Sequence, residues 1–450
     1  MIDAALTLAI VAIVAMVTAG LASRQERAMR PWMWLAFAEY LACGVAQFIH
    51  NQIENGDATY YRDTGLELAR FLDASFGWAS GELFSLLLQQ PSAFDAAVIG
   101  AGSNTGSMCA AAAWIMFLVR GSEYAAQALI AGLAMLGALA IYTSSRDAYP
   151  EVSPLRLFVA TVLFPSVAFW TSALHKEAFC LMGTGLLLAA WRAAYNRRLR
   201  VILYAPAGLI LILMFRAPAL PPLLLGIVLF FVVNRIQKAR GAEATIVGPI
   251  YMGLGLGALA VGMVLVSSVS PELGLDRIGD AVAVQQRAWD AYAGGSAFGL
   301  EEPAAQTTAG QLARAPLALV NALFRPQLFD VTNPLVLVSA LEMTALTWMI
   351  IRAVRLNGFG GTLVRIQRSP FLLMCTVITL VGCTFIGLTT RNFGSMARYR
   401  VPFLPFYGAL LAVLTERTEA ALASKGPSTP AAARDALRRG AGRRAAPGSA

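Results

Sequence analysis

Residues 4–22 read AALTLAIVAIVAMVTAGLA, nineteen positions without one charge, preceded by Asp3 and followed by Arg24, Arg27 and Arg30. A helix needs about 20 mostly apolar residues to cross a bilayer, so this stretch is long enough to span. It carries no convincing small-residue cleavage site and is kept as a helix rather than as a removed leader. Ten more runs of this kind follow, at 32–49, 124–143, 157–173, 178–194, 201–215, 218–234, 247–268, 334–353, 370–388 and 401–416. The rest of the composition agrees. Of 450 residues, 57% are hydrophobic and 14% charged, and mean hydropathy is +0.62. A soluble domain holds about 45–50% apolar and about 25% charged residues, and its core cannot absorb more. The expected fold is therefore an all-α polytopic membrane protein with about 11 transmembrane helices.

Segment 94–119 is apolar but interrupted by Gly102-Ser103-Asn104-Thr105-Gly106-Ser107. If it spanned, Arg192, Arg197, Arg198, Arg200, Arg235, Lys238 and Arg240 would all face outward, against the positive-inside bias. It is read as re-entrant or interfacial, which backbone at membrane depth tolerates only under protein or beside water. On that choice 23 Lys and Arg accompany 7 Asp and Glu on the cytoplasmic side, and 12 accompany 17 outside. The N-terminus is then outside and the C-terminus cytoplasmic. The net charge of +9 is a topology signal and calls for no nucleic acid.

Two long outer loops, 50–123 and 269–333, each carry a candidate interfacial helix, the second at 281–293. The second loop also offers Asp276, Arg277, Asp280, Asp290, Glu301 and Glu302 without specific spacing. The tail 417–450 is rich in Ala, Gly, Pro, Ser and Arg and reads as disordered, solvated or resting on anionic membrane lipids. Five cysteines form no CxxC pair and read as packing residues, and two histidines make a His-rich metal site improbable.

Three outer stretches carry residue types suited to chemistry. The first is HNQIENGDATYYRDTGLELARFL, 50–72. Leu66, Ala69, Leu72 and Phe76 follow helical spacing and predict an amphipathic helix lying on the membrane with Asp57 at its N-cap. A carboxylate held there suits a general base, and equally a plain helix cap. The second, LFPSVAFWTSALHKEAF, 163–179, brings a helix to the interface at Trp170 and turns at His175-Lys176-Glu177. Lys176 and Glu177 are either a surface pair, or a phosphate-binding lysine beside a carboxylate that orients a substrate or a metal. The third, TRNFGSMARYRVPFLPF, 390–406, sets Arg391, Arg398 and Arg400 on the outer face, where Arg216 joins them. Guanidinium forks suit phosphate oxygens, and anionic lipid heads or outer-loop carboxylates are the plainer partners. Glu39 and Glu342 fall within spans, where an ionisable group is a functional candidate or a neutral hydrogen-bonded acid.

Together these stretches resemble the bacterial GT-C-type membrane glycosyltransferases and the related polysaccharide polymerases. Gly56-Asp57 with Tyr60 and Tyr61 looks like the Gly-Asp-x-x-x-Tyr motif of their first large outer loop. Phe164-Pro165-Ser166, Phe169-Trp170-Thr171-Ser172 and Lys176-Glu177 look like a Pro-Ser, Trp-Ser-Ser, Lys-Glu series. Arg398-Tyr399-Arg400-Val401-Pro402 with Pro405 looks like the closing Arg-Tyr-Arg-x-Pro. The resemblance implies transfer of a sugar from a polyprenyl-phosphate or polyprenyl-diphosphate carrier to a glycan or lipid acceptor, on the outer face of the inner membrane, in cell-surface polysaccharide or glycoconjugate synthesis. It implies Asp57 as the catalytic carboxylate, with Asp63 or Glu54 as alternatives. Lys176, Arg398 and Arg400 would hold the carrier phosphate, and Glu177 would assist the acceptor or a metal. A divalent cation, Mg or Mn, is left open, as is a polymerase or ligase using His50 or His175 as base. From another class, a flippase or transporter for a lipid-linked glycan requires ionisable residues along a mid-membrane path.

Overall fold

A computed structural model of the protein describes residues 2–53, 56–240, 282–283, 286 and 308–416. The expected span 247–268, Glu54, the second-loop candidates Asp276, Arg277, Asp280, Asp290, Glu301 and Glu302, most of its 281–293 helix and the tail 417–450 lie outside the described residues. Every regular element among the described residues is helical. Among the described residues seven helical runs are long and apolar enough to cross a membrane: Asp3–Ser23, Arg27–Ile53, Glu123–Ala148, Lys176–Tyr195, Val201–Lys238, Pro334–Asn357 and Pro370–Thr389. This is the make-up of an all-helical membrane protein.

The run Val201–Lys238 is two helices. Arg216 leaves helical backbone at φ −155°, ψ 62°, and Val201–Arg216 ends there before Leu220–Arg240 begins. Close packing at the centre rests on small residues, which let helix backbones approach where lipid offers no hydrophobic drive. Gly185 of Lys176–Tyr195 lies against the backbone of Gly137 in Glu123–Ala148, and a Cβ there would strike the Gly137 carbonyl.

Two expected spans take other forms. The run 157–173 is not one helix: Pro154–Val159 and Pro165–Thr171 are separate, with Phe164 extended between them. Proline removes a backbone donor and forces the preceding residue out of helical conformation, which hydropathy does not register. The run 401–416 yields only the buried helix Leu404–Leu414, about 16 Å long at 1.5 Å per residue. Its first residues form a turn instead, and Gly408 packs where a Cβ would meet the Ala160 carbonyl. Segment 94–119 becomes a loop with positive φ at Gly100 and Gly102, then the helix Asn104–Leu118, capped by Ser103 Oγ and buried from Gly106 to Ala113.

The helix Asp57–Ala74 lays its buried face, carrying Tyr61, Gly65, Leu68 and Leu72, on Asn104–Leu118. Phe76, expected on that face, is exposed and begins a separate helix, Phe76–Leu87. Asp57 is the first helical residue and the cap position falls to Gly56, so the Asp57 carboxylate is not spent on capping.

The bundle has two chemically different ends. At one end Arg146 pairs with Glu26 at 3.7 Å, Arg192 with Asp147 at 3.2 Å, and Tyr149 Oη donates to Ser369 Oγ at 2.7 Å. Arg24, Arg27, Arg30, Arg197, Arg198 and Arg200 cluster in the turns there. At the other end Ile53 closes its helix, Lys176 opens one, and Arg216 and Thr389 close two more.

Candidate functional site

Five helix ends and two short helices meet around one cavity of about 290 Å³. Its polar wall is made by Asp57, Asn104, Lys176, Arg216 and Arg398. Pro218, Phe385, Ile386 and Phe403 add apolar surface to the lining, so the space offers both charge and hydrocarbon.

Arg398 sits in the last turn of Phe393–Tyr399, a helix started by Asn392, whose side chain accepts from Ser395 N at 3.2 Å. Arg398 Nη1 donates to Asp57 Oδ2 at 2.8 Å, and its Nε lies 2.9 Å from Glu177 Oε1. The same Glu177 oxygen accepts from Arg216 Nη2. Glu177 is wholly buried, whereas the Asp57 side chain is 56% exposed. Arg216 lies over the Tyr399 ring at 4.2 Å and Arg398 approaches the Trp170 ring at 6.0 Å, cation–π contacts that orient both guanidiniums. Lys176 Nζ donates to Asn104 Oδ1 at 2.8 Å and Thr105 Oγ1 at 2.9 Å, and stands 5.7 Å from the Tyr61 ring.

Partial burial pushes the Asp57 carboxyl up, but the charge and hydrogen bond of Arg398, helped by Lys176 and Arg216, outweigh it and hold Asp57 below its ordinary 3.8. Asp57 is therefore ionised near neutral pH and a weak base while Arg398 holds it. Arg216 and Arg398 match Asp57 and Glu177 in charge, and Lys176 adds an amine donor beside them, which suits an anion.

The sequence candidates separate cleanly. Asp57, Lys176, Arg216 and Arg398 line the cavity, with Glu177 and Tyr61 directly behind. Asp63 takes Arg62 Nε at 2.7 Å away from the cavity, and Tyr60 ties its helix to the Ile99 backbone. His175 is buried, and burial together with the cations Arg398 and Arg216 drives its pKa far down, so it stays neutral and out of reach of a bound molecule. Arg391 is buried one residue past Thr390 and does not line the cavity. Arg400 points the other way: Nη1 donates to the carbonyls of Ala322 at 3.0 Å and Arg325 at 2.8 Å, and Nη2 to Ser339 Oγ.

Asn104, Thr105 and Tyr399 belong to the site and were not singled out from the sequence as site residues. For Asn104 and Thr105 the signal was visible as the polar interruption in an apolar run. Among the described residues no three His, Cys, Asp or Glu side chains converge on a common point. Glu177, the carboxylate considered for a metal, has two guanidiniums on one oxygen. No protein-family model matches the chain, and neither a curated protein nor a solved structure matches it.

Proposed function

We propose that the protein is a membrane glycosyltransferase that moves a sugar from a polyprenyl-phosphate-type carrier to an acceptor hydroxyl. The observation that carries this reading is the meeting of Asp57, Lys176, Arg216 and Arg398 on one cavity that apolar side chains also line. Such a space fits a phosphate against its cations and the first carbons of a prenyl chain against its apolar residues. The carrier phosphate is met by Lys176, Arg216 and Arg398; guanidiniums bind phosphate oxygens in forks, and the charge they supply is largest where the leaving oxygen becomes anionic.

The step runs as an inverting displacement. The acceptor oxygen attacks the anomeric carbon, the bond from that carbon to the phosphate oxygen breaks, and the electron pair leaves with the carrier phosphate. Asp57 takes the acceptor proton. A phosphate that draws Arg398 toward itself loosens the Arg398–Asp57 pair, so the base gains strength as the donor is seated. Glu177 keeps both arginines in place meanwhile.

Basic residues in the turns of the opposite end support a cytoplasmic place for that end under the positive-inside bias, and with it the reading that the cavity faces the outer side. The test is turnover by the purified protein in liposomes, offered a panel of polyprenyl-phosphate and polyprenyl-diphosphate sugars and followed by release of the lipid phosphate. Asp57→Asn is expected to lose at least about 10²-fold in rate, the usual contribution of a general base, while unfolding at the wild-type temperature. Undiminished turnover by a well-folded Asp57→Asn overturns the assignment.

A further inference from the structure

At the basic end of the bundle a short helix, Phe359–Arg368, joins the spans Pro334–Asn357 and Pro370–Thr389 and packs against both. Gly358, at φ 72°, makes the bend into it. A charge fastens this helix to the bundle. Arg365 Nη1 donates to Asn357 Oδ1 at 2.8 Å and to the Leu414 carbonyl at 3.2 Å, and Nη2 to the Val413 carbonyl at 3.1 Å. Those carbonyls close Leu404–Leu414, where a helix leaves acceptors over and its dipole favours a cation. Gln237 Nε2 holds the Arg368 carbonyl at 3.0 Å.

The apolar side chains point the other way. Only Ile366 packs on the core, while Phe359 is 71% exposed, Leu363 43% and Val364 41%. A helix on a water-soluble surface does the reverse, turning its apolar stripe inward and its charges out. The exposed arc is therefore suited to the boundary between lipid heads and acyl chains, where amphipathic helices lie. Pro334–Asn357 extends the same kind of surface. Trp348, Ile351, Arg352 and Arg355 follow helical spacing along one face. Trp348 and Ile351 are exposed, and Arg352 stands 5.3 Å from the Trp348 ring, an arrangement typical of an interfacial anchor.

Charge selects the occupant. From Met343 to Ser369 there is no Asp or Glu, against Arg352, Arg355, Arg365 and Arg368. Arg365 is engaged by helix-end carbonyls, and Arg355 and Arg368 are exposed. The tail 417–450 has the wrong sign to cover them, with seven Lys and Arg against Glu419 and Asp435. We propose that Phe359–Arg368 is a docking surface for the anionic phospholipid leaflet at the basic end. Phe359 and Leu363 lie among acyl chains, and Arg352, Arg355 and Arg368 meet lipid phosphates. Through Arg365 the same contact steadies the end of Leu404–Leu414. The inference does not depend on the transferase reading.

The full chain in nanodiscs, labelled with bimane at Leu363→Cys, tests this; four of the five native cysteines are buried, so labelling is selective. Discs of phosphatidylcholine contain, at the same mole fraction, either brominated phosphatidylcholine or brominated phosphatidylglycerol, whose chains quench the label on contact. Both lipids are expected to quench, phosphatidylglycerol severalfold more strongly, with the excess shrinking as salt is raised. Combining Arg352→Gln, Arg355→Gln and Arg368→Gln removes the excess and leaves the quenching by phosphatidylcholine. Single substitutions reduce it stepwise if the combined variant does not fold, and Phe359→Cys is the second label site. Absence of quenching by either lipid overturns the leaflet contact, whether water, the tail or a second copy occupies the face. Equal quenching by the two lipids overturns the preference for anionic heads. An excess that survives the arginine substitutions overturns their assignment to lipid phosphates.

Discussion

Arg398 reaches Asp57 at 2.8 Å across 341 residues of sequence, and it is the less secure of the two ion pairs that this arginine makes. Its other partner, Glu177, is wholly buried and also holds Arg216, while Asp57 is more than half exposed. An exposed pair is screened by water and contributes little, whereas breaking a buried one strands a charge. An anion entering the cavity therefore competes with Asp57 for Arg398 and leaves Glu177 where it is. The site is built as a fixed anchor and an exchangeable partner on one guanidinium.

That arrangement makes Arg398 irreplaceable by lysine. Nη1 donates to Asp57 while the same guanidinium lies in ion-pair contact with Glu177, and a single ammonium does not reproduce both. Arg398→Gln is expected to lower kcat/KM for the lipid-linked donor about 10²-fold, in keeping with about 2–3 kcal/mol for a charged hydrogen bond. Arg398→Lys recovers little of it. Near-complete rescue by lysine, read in the same turnover assay, leaves only a point charge as the role of Arg398.

Glu177 is expected to matter first to stability. Glu177→Gln leaves Arg216 and Arg398 facing each other without their shared anion, and losing one partner of a buried pair costs about 3–5 kcal/mol. Adding Arg216→Met removes one of the two stranded charges and should restore part of the loss. Denaturant unfolding in detergent measures both. Additive effects of the two substitutions exclude the shared-anchor role.

Much of this was legible beforehand, and the exceptions have physical causes. Hydropathy finds the long helices because bilayer thickness fixes their length. It misses the break at Pro165, where the residues stay apolar while the backbone loses a donor. The chemistry of the site was legible from residue types gathered at one set of helix ends: Asp57, Lys176, Arg216 and Arg398 all reach the cavity. Arg400 does not, for a reason the spacing already contained. Two residues along a helix is a rotation of about 200°, so Arg398 and Arg400 leave opposite faces of the turn. The acceptors of Lys176, Asn104 and Thr105, depend on how a helix more than seventy residues earlier packs, which no local pattern reports.

Arg400 accordingly separates a structural arginine from a binding one. It fastens two carbonyls, those of Ala322 and Arg325, to the turn that leads into Leu404–Leu414. Arg400→Met is expected to cost about 2–3 kcal/mol in unfolding through the lost charged hydrogen bonds. The fraction that stays folded keeps its donor KM. A raised KM with unchanged stability would return Arg400 to the substrate side.

Membrane orientation decides which pool of substrate the cavity meets, and cysteine labelling reads it directly. Four of the five native cysteines are buried and the fifth, Cys43, is half-buried, so background reaction with a charged maleimide is low. Asp63 stands exposed on the helix that begins with Asp57, and Arg197 lies exposed in a turn at the opposite, basic end. In intact spheroplasts Asp63→Cys reacts with the impermeant reagent and Arg197→Cys reacts only after the membrane is opened. The positive-inside bias, applied to the basic turns, predicts this sense. The reverse pattern places Asp57 and its three cations in the cytosol. The acceptor would then have to be a cytoplasmic molecule, and transfer on the outer face would be ruled out.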